Sequence, residues 1–374
     1  MEVPFFDLNY GHEEEEAALE TIRSGWVSTG PKCEALEEKW ADLHNVEHGV
    51  SLSSCTAALH LAMRALDIGP GDEVIVPSLT FVATASSVRM VGATPVFADI
   101  ESVDRWTIDP EDVASKITDQ TKAIVAMHYG GHGADMPALC DLADAHDLSI
   151  VEDACHAPMG KLGSRMLGSF GDISCYSFYT NKNISTAEGG MLLTAHEDIA
   201  ERVRILRSHG MTTTAYERED GSELYDVREF GYNYRMDDIR ASIGLAQLEK
   251  LPGDLEKRGR LVDRYRENLS GVEGVHVPFS DYEGRPSHYV FGVLTDHPDR
   301  AQLREKMEEK GVGTSVHYPP VHHFECYEPF SASLPVTEKI ARGEVSLPLF
   351  HDMTLDQVDH VCKALTECLD AVRA

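Results

Sequence analysis

The sequence predicts an α/β chain: a large domain with a mostly parallel central sheet flanked by helices, then a smaller C-terminal α+β domain. Three observations predict it. The 374 residues suffice for a large core and for two domains. Short apolar runs of strand type alternate with amphipathic helical stretches through the first two-thirds of the chain. Beyond residues 251–262 that alternation gives way to a looser mixture of helix and strand patterns.

Taken in order, Thr56 to Leu66 places Leu59, Ala62, Met63 and Leu66 on one helix face. Val74 to Pro77, Pro95 to Ala98, Ala123 to Met127 and Leu148 to Glu152 read as short buried strands, with helical stretches at Phe81–Val91 and Pro137–His146 among them. Ile173 to Phe178 is a further β-type run. It leads into a polar loop that ends in Glu188-Gly189-Gly190. Asp237 to Leu251 is a helix whose acidic start suits the helix dipole. Pro252-Gly253 follows, and the expected division lies close by: residues 1–255 as the large domain, including an N-terminal segment 1–30, and 256–374 as the small one. His288 to Leu294 and Gly313 to His317 read as strands, with a helix at Asp299–Lys310 between them. Thr354, with Gln357 three residues on, makes a capping box for a final helix. Leu355, Val358, Val361, Leu365, Leu369 and Val372 are expected on its buried face.

Composition narrows the function. Hydrophobic residues at 42% and charged residues at 26% are ordinary for a soluble globular protein. No apolar run is long enough to cross a bilayer, and the N-terminus carries no basic or apolar signal, so a cytoplasmic protein is expected. The 63 acidic residues against 33 basic ones give a net charge of −30, which opposes binding to nucleic acid and to anionic membranes. Solvated surface and adaptation to high salt are the two readings of that excess. The eight cysteines lack CxxC pairs and are expected as free thiols. Eighteen histidines include His317 and the pair His322-His323, but no HExxH or comparable ligand spacing, so no metal is expected.

The residues that carry chemistry start from Lys182. A lysine in a polar, Gly-terminated loop is poorly placed for packing and well placed to form a Schiff base with a carbonyl. Asp153 directly follows an apolar strand, and the carboxyl ends of parallel strands are where ligands bind. Alone, Asp153 is more often a loop residue or helix cap; paired with Lys182 it suits the protonated nitrogen of a pyridine ring. Ser53-Ser54-Cys55-Thr56 opens an amphipathic helix, where free N–H groups and the dipole favour an anion such as a phosphate. Simple N-capping would satisfy the same residues. Ser177 offers a hydroxyl to that phosphate, and Thr80-Phe81 an aromatic face for the ring, although such a phenylalanine is more often core. Together these are the parts required by pyridoxal 5′-phosphate (PLP). Thr314 to Tyr318 and Pro319 to His322 form a loop of the second domain that either closes over a substrate or packs.

Longer motifs extend this. Gly25 to Pro31 is similar to a SGWxxTGP segment, and Gly69 to Pro77 to GPGDEVIVP. Glu152-Asp153-Ala154 with His156-Ala157 matches EDAxHA, and the Lys182 loop matches SFxxxKxxxxxEGG. Gly231 to Met236 matches GYNYRM, and His317-Tyr318 with His322 matches HYxxxH. On these motifs, which cover nearly the whole chain, it resembles the DegT/DnrJ/StrS-type sugar aminotransferases, members of PLP fold type I with an aspartate aminotransferase-like architecture. The resemblance implies that Lys182 carries the cofactor and later moves a proton, and that Asp153 holds the pyridine nitrogen. It implies that His156 contacts the ring 3-hydroxyl and Phe81 stacks on the ring. Ser54, Cys55, Thr56 and Ser177 would hold the phosphate, and Asn233 would reach the phosphate of a neighbouring subunit in a homodimer. Thr29, Tyr179, His317, Tyr318 and His322 would contact substrate.

The chain departs from the common pattern at Cys55-Thr56, where Gly-Thr is usual, and at Ala187-Glu188-Gly189-Gly190, where GEGG is usual. The second departure, with His156 and Ser346-Leu347-Pro348-Leu349-Phe350, is similar to the branch that aminates C4 of UDP-4-keto sugars. The expected reaction is a ping-pong transamination in which L-glutamate leaves as 2-oxoglutarate, the cofactor passes through pyridoxamine 5′-phosphate, and a keto sugar receives the amino group. Lys182, once released, is expected to be uncharged near neutral pH. A PLP-dependent sugar dehydratase, a non-catalytic PLP-fold subunit and an unrelated α/β enzyme are the rivals. Lys182 stands where the dehydratases place histidine, and no cysteine cluster suits an iron–sulfur partner. The identity of the sugar and nucleotide is not encoded in any motif. Arg228 and Arg285 are available for a diphosphate, and the loop 211–229 for part of the sugar pocket.

Overall fold

The computed structural model describes residues 1–213 and 225–373, and the side chains of all these except residues 372 and 373. The large domain opens with α1 (His12–Ser24) and α2 (Pro31–His44), then β1 (His48–Leu52), α3 (Cys55–Ala65), β2 (Glu73–Pro77), α4 (Val82–Met90) and β3 (Thr94–Ala98). It continues with α5 (Pro110–Lys116), β4 (Thr121–Met127), α6 (Met136–His146) and β5 (Ser149–Asp153). The short strands β6 (Lys161–Leu162) and β7 (Arg165–Met166) precede β8 (Ile173–Ser177), β9 (Gly190–Thr194), α7 (Glu197–Arg207) and α8 (Asp238–Leu269).

The central sheet has seven strands in the order β1-β9-β8-β5-β4-β2-β3. The run β8-β5-β4-β2-β3 is parallel, and β9 is antiparallel to both its neighbours. Alternation along the strands separates the two faces. Val74 and Val76, Ala123 and Val125, and Val151 pack with α3, α4 and α7. Ile75, Ile124, Ala126 and Ile150 point the other way, against α5 and α6. α2 and the first half of α8 cover the sheet near β8 and β9, around Trp40, Tyr176 and Phe178.

The small domain comprises β10 (Val275–His276), β11 (Gly284–Arg285), β12 (Phe291–Thr295), α9 (Arg300–Glu309), α10 (Pro335–Gly343), β13 (Glu344–Leu347) and α11 (Leu355–Arg373). Its sheet runs β10-β12-β13, while β11 pairs back onto β6 of the large domain. The core gathers Phe291, Val293, Leu303, Val345, Val358 and Leu365 with Val3 from the N-terminus, whose backbone pairs with Gly311 and Gly313.

Four expectations are corrected. The helix from Asp237 does not end at Leu251: α8 runs on through Pro252-Gly253 for 32 residues. Proline removes one N–H from the ladder, but buried residues continue at helical spacing from Ala241 through Leu251, Leu255 and Leu261 to Leu269, and that packing overrides the local break. The division at 255/256 falls inside this continuous helix, between Leu255, which packs with the large-domain core, and Leu261, which packs with the small one, where Val3 of the N-terminal segment also packs. Gly313–His317 is not a strand, since only Ser315 forms an isolated bridge, to Ser346; the strand expected from His288 begins at Phe291. The Thr354–Gln357 capping box is formed, with Gln357 N–H donating to Thr354 Oγ1 at 3.2 Å, but Leu355 stands half exposed in the first turn. Val372 lies outside the described side chains.

Candidate active site

A cleft of about 630 Å³ opens where the carboxyl end of the parallel sheet meets the small domain. Ser54, Cys55, Thr56, Phe81, Asp153, Ser177, Tyr179, Lys182, His317 and Tyr318 all line it, so the topology brings together residues up to 264 positions apart. Among the described residues that line it, Lys182 is the one lysine or arginine.

Asp153 ends β5 and is buried. Its Oδ2 accepts the Thr84 hydroxyl at 2.7 Å, and Thr84 Oγ1 lies 2.8 Å from Thr80 Oγ1. Thr84 lies in the first turn of α4, while Thr80, just before the helix, lines the cleft. Asp153 Oδ1 accepts the backbone N–H of Cys155 at 3.3 Å. Its neighbour Glu152 points to the other face. There it accepts His128 Nε2 at 2.9 Å and the backbone N–H groups of Gly168, Phe170 and Gly171, each at 2.7 Å. Burial opposes that charge, but the His128 ring and these amides outweigh it and hold the carboxyl below its ordinary range. The strand end that carries Asp153 is thereby pinned.

Lys182 sits in a turn closed by its own N–H donating to Tyr179 O at 2.9 Å. Its Nζ stands 4.1 Å from the centre of the Tyr289 ring. Burial works against the ammonium, yet Cys155, Tyr289, Asp153 and Cys55 together keep its pKa above the ordinary lysine value. Burial also pushes the Cys55 and Cys155 thiols well up.

α3 starts at the cleft. Ser54 is its N-cap, with Oγ accepting the Ala57 N–H at 3.1 Å, so its hydroxyl is engaged by the helix itself. The N–H groups of Cys55 and Thr56 come before the first intrahelical bond and remain for an anion. Gly190 makes this approach possible: a Cβ there would meet Ser54 C at 2.5 Å and Cys55 N at 2.6 Å. Ser177 lies across the cleft, and the buried Asn181 Oδ1, also on the wall, has no hydrogen-bond partner. A helix start stripped of side-chain bulk, a fixed carboxylate, an amine and an orphaned buried acceptor together fit a phosphorylated pyridine aldehyde.

His156 lies beneath the wall rather than on it. Its ring stacks on Tyr289 at 4.1 Å, and Nε2 is 2.8 Å from Tyr318 Oη. Nδ1 accepts the Gly130 N–H at 3.4 Å, which leaves the proton on Nε2 to be donated to Tyr318. Burial, then Lys182 and His317, push its pKa well down, so the ring is neutral. His317 Nδ1 lies 2.8 Å from Ser346 Oγ, which donates to Glu344 Oε1 at 2.5 Å, and Glu344 Oε2 accepts the His317 N–H at 2.9 Å. Phe81 is half exposed, 6.0 Å from the Tyr318 ring.

Besides His156, three expected residues are not on the wall. Thr29 donates to Met236 O at 2.6 Å, Asn233 is exposed elsewhere, and His322 is buried with Nδ1 2.6 Å from Ser78 Oγ. Arg228 and Arg285 are likewise absent from it, and residues 214–224 of the loop 211–229 lie outside the described part. Sequence reasoning missed Tyr289, Thr84, Asn181 and Phe324. The Thr80/Thr84 spacing was a usable signal for the second; Tyr289 sits before a strand, and nothing local marks it.

The sequence profile of the DegT/DnrJ/EryC1/StrS aminotransferase family matches residues 9–366. The chain is 39% identical over 368 residues to the spore coat polysaccharide biosynthesis protein SpsC of Bacillus subtilis, covering 96% of this chain and 94% of that one. Its fold superimposes with a TM-score of 0.93 on the PMP form of Spr1654 from Streptococcus pneumoniae, at 30% identity and covering 99% and 100% of the two chains; a PLP form of that protein scores the same. Helicobacter pylori PseC, an aminotransferase involved in pseudaminic acid biosynthesis, superimposes with a TM-score of 0.94 at 26% identity, covering 99% and 100%.

Proposed function

The chain belongs to the DegT/DnrJ/EryC1/StrS aminotransferase family, and on that premise we propose that it transfers the amino group of L-glutamate to the C4 keto carbon of a UDP-4-keto-6-deoxy sugar or UDP-4-keto-pentose for surface polysaccharide or glycan assembly. It is a PLP-dependent sugar aminotransferase of fold type I. The observation that carries the finer reading is the convergence of Lys182, Asp153 and the open start of α3 on one cleft large enough for a sugar beside the cofactor.

When bound, PLP supplies a carbonyl for amines and an electron sink for the pair left by a departing α-proton. The cofactor's phosphate would rest on the N–H groups of Cys55 and Thr56 with the hydroxyls of Thr56 and Ser177. Asp153, fixed by Thr84, would hold the proton of the ring nitrogen. The aromatic wall of Phe81, Tyr318 and Tyr289 excludes water. Lys182 Nζ would hold the cofactor through its carbonyl carbon and, when displaced by an incoming amine, would carry the proton between the amino-acid carbon and the cofactor side. In the second half it would carry the proton in the opposite sense for the sugar. A homodimer in which a second copy contributes to the site is part of this reading: Asn233 is exposed and is not among the described residues lining its own cleft, as expected of a residue serving a partner's phosphate. A cytoplasmic location follows from the nucleotide-sugar substrate, and no helix of the described residues is long and apolar enough to cross a membrane.

The C4 assignment is supported by Ala187-Glu188-Gly189-Gly190 and His156. The test is a glutamate-coupled assay across UDP-, GDP- and dTDP-linked keto sugars, with 2-oxoglutarate and the amino sugar quantified. Turnover confined to UDP-4-keto sugars is expected. Preferred turnover of a 3-keto or dTDP-linked sugar would refute the C4 reading and leave the aminotransferase assignment intact.

A further inference from the structure

Outside the cleft, three side chains form a second constellation. His322 and His323 lie in the turn Val321–His323, and Glu338 lies in α10. His322 is 4% exposed, with Nδ1 at 2.6 Å from Ser78 Oγ, and its own backbone N–H also donates to Ser78 Oγ at 3.2 Å. Its buried Nε2 has no hydrogen-bond partner and lies 3.9 Å from Glu338 Oε1. The exposed His323 ring stands 4.2 Å from the His322 ring. One ligand atom from each of the three falls within 4.8 Å of the others.

We propose that His322 Nε2, His323 and Glu338 bind a divalent cation of the zinc class, with solvent in the remaining position. Two imidazoles and a carboxylate are a donor set of such sites, and tetrahedral bonds of about 2.0–2.1 Å place ligand atoms roughly 3.4 Å apart. Closing to that spacing needs rotation of the exposed His323 and the half-buried Glu338, while His322 stays put. Ser78 plays the outer partner that fixes a metal-bound imidazole by its other nitrogen. A buried ring nitrogen left without a partner otherwise carries a desolvation cost that a metal bond removes.

The surrounding charges are mixed. Asp99, which caps α10 by accepting the N–H groups of Val336 and Thr337, favours a cation. Arg342 reaches Glu338 Oε2 at 3.4 Å and opposes one, but its side chain is largely exposed and free to swing out. Leu334 N–H donates to Glu338 Oε1 at 3.4 Å and leaves that oxygen a second lone pair. The net charge of −30 raises the local concentration of divalent cations. The ion's role is mechanical. Tyr318 and Pro319 before the turn and Phe324 after it are cleft wall, so the metal ties that strap to α10. This holds whatever the sugar.

The test is calorimetric titration of the chelator-treated holoenzyme with ZnCl2 alone. One ion per chain is expected, with a rise in melting temperature. His323→Ala changes only an exposed side chain and is expected to weaken binding at least about tenfold, as is Glu338→Gln. Cys326→Ser, which removes the nearby exposed thiol, is expected to bind as the wild type does. Cobalt(II) should give the visible absorption of a four-coordinate site, lost in His323→Ala. The proposal is overturned if the wild type binds no zinc, if both ligand variants bind as tightly as it does, or if only Cys326→Ser abolishes binding.

Discussion

Lys182 and Glu344 are the single residues whose environments make the sharpest claims. In the proposed reading Lys182→Ala removes the cofactor's covalent anchor and the proton carrier together; turnover should vanish, along with the absorbance band of the attached cofactor. Glu344 is fully buried at the foot of His317. Burial pushes its carboxyl up to about 7, against hydrogen bonds from Ser346 and His317 and the attraction of Arg300 and Arg304. Burial also drives His317 down to about 3, so that ring adds no compensating charge. The folded protein therefore holds a proton on Glu344 that the unfolded chain releases near 4.5. On this group's account stability is greatest below pH 4.5, declines as pH rises to 7 and is flat above it. The decline amounts to about 3 kcal/mol. Urea unfolding from pH 5 to 8 should show that slope flattened in Glu344→Gln, and the same variant should lose any ionisation near pH 7 from the kcat/KM profile. An unchanged slope would remove Glu344 from this account.

Elements are held by polar knots as much as by apolar faces. Glu37 of α2 accepts Arg207 of α7 at 2.6 Å and both the N–H and the hydroxyl of Ser51 in β1, at 2.8 and 2.7 Å. Glu37→Ala leaves the Arg207 charge buried and should cost about 3–5 kcal/mol, whereas the double replacement of Glu37 and Arg207 by methionine should recover most of it. Thermal melts of the two variants and the wild type decide between them. The parallel strands were readable because each carries an apolar run between turn signals, and α3, α4 and α6 because their apolar spacing is strong. Lys182 and Asp153 were readable because their positions, in a polar loop and at a strand's end, are odd for packing. Tyr289 was not: it is brought to Lys182 by Arg258, whose guanidinium donates to His288 O, Tyr289 O and Leu349 O across the domains. His322 misled for the same reason, since its ring direction is set by Ser78, 244 positions away. Contacts of that sequence separation leave no local pattern.

At the scale of the molecule, the charge of −30 sets the behaviour in salt. If the acidity is a salt adaptation, stability in chemical denaturant should rise steadily with KCl into the molar range as self-repulsion is screened. Unfolding in such salt would sink the idea. The exposed Phe230, Val227 and Tyr225 lie beside Asn233 on the same stretch, apolar surface of the kind a second subunit covers. The long helix α8 has a consequence for how the chain comes apart. At 1.5 Å per residue it is about 48 Å long, and it lends Ala241, Leu251 and Leu255 to one core and Leu261, Val262, Tyr265 and Leu269 to the other. Neither core can melt without fraying the backbone that the other is built on. Heating should give a single endotherm, with calorimetric and van't Hoff enthalpies in agreement, and a chain cut at residue 255 should yield no independently folded half.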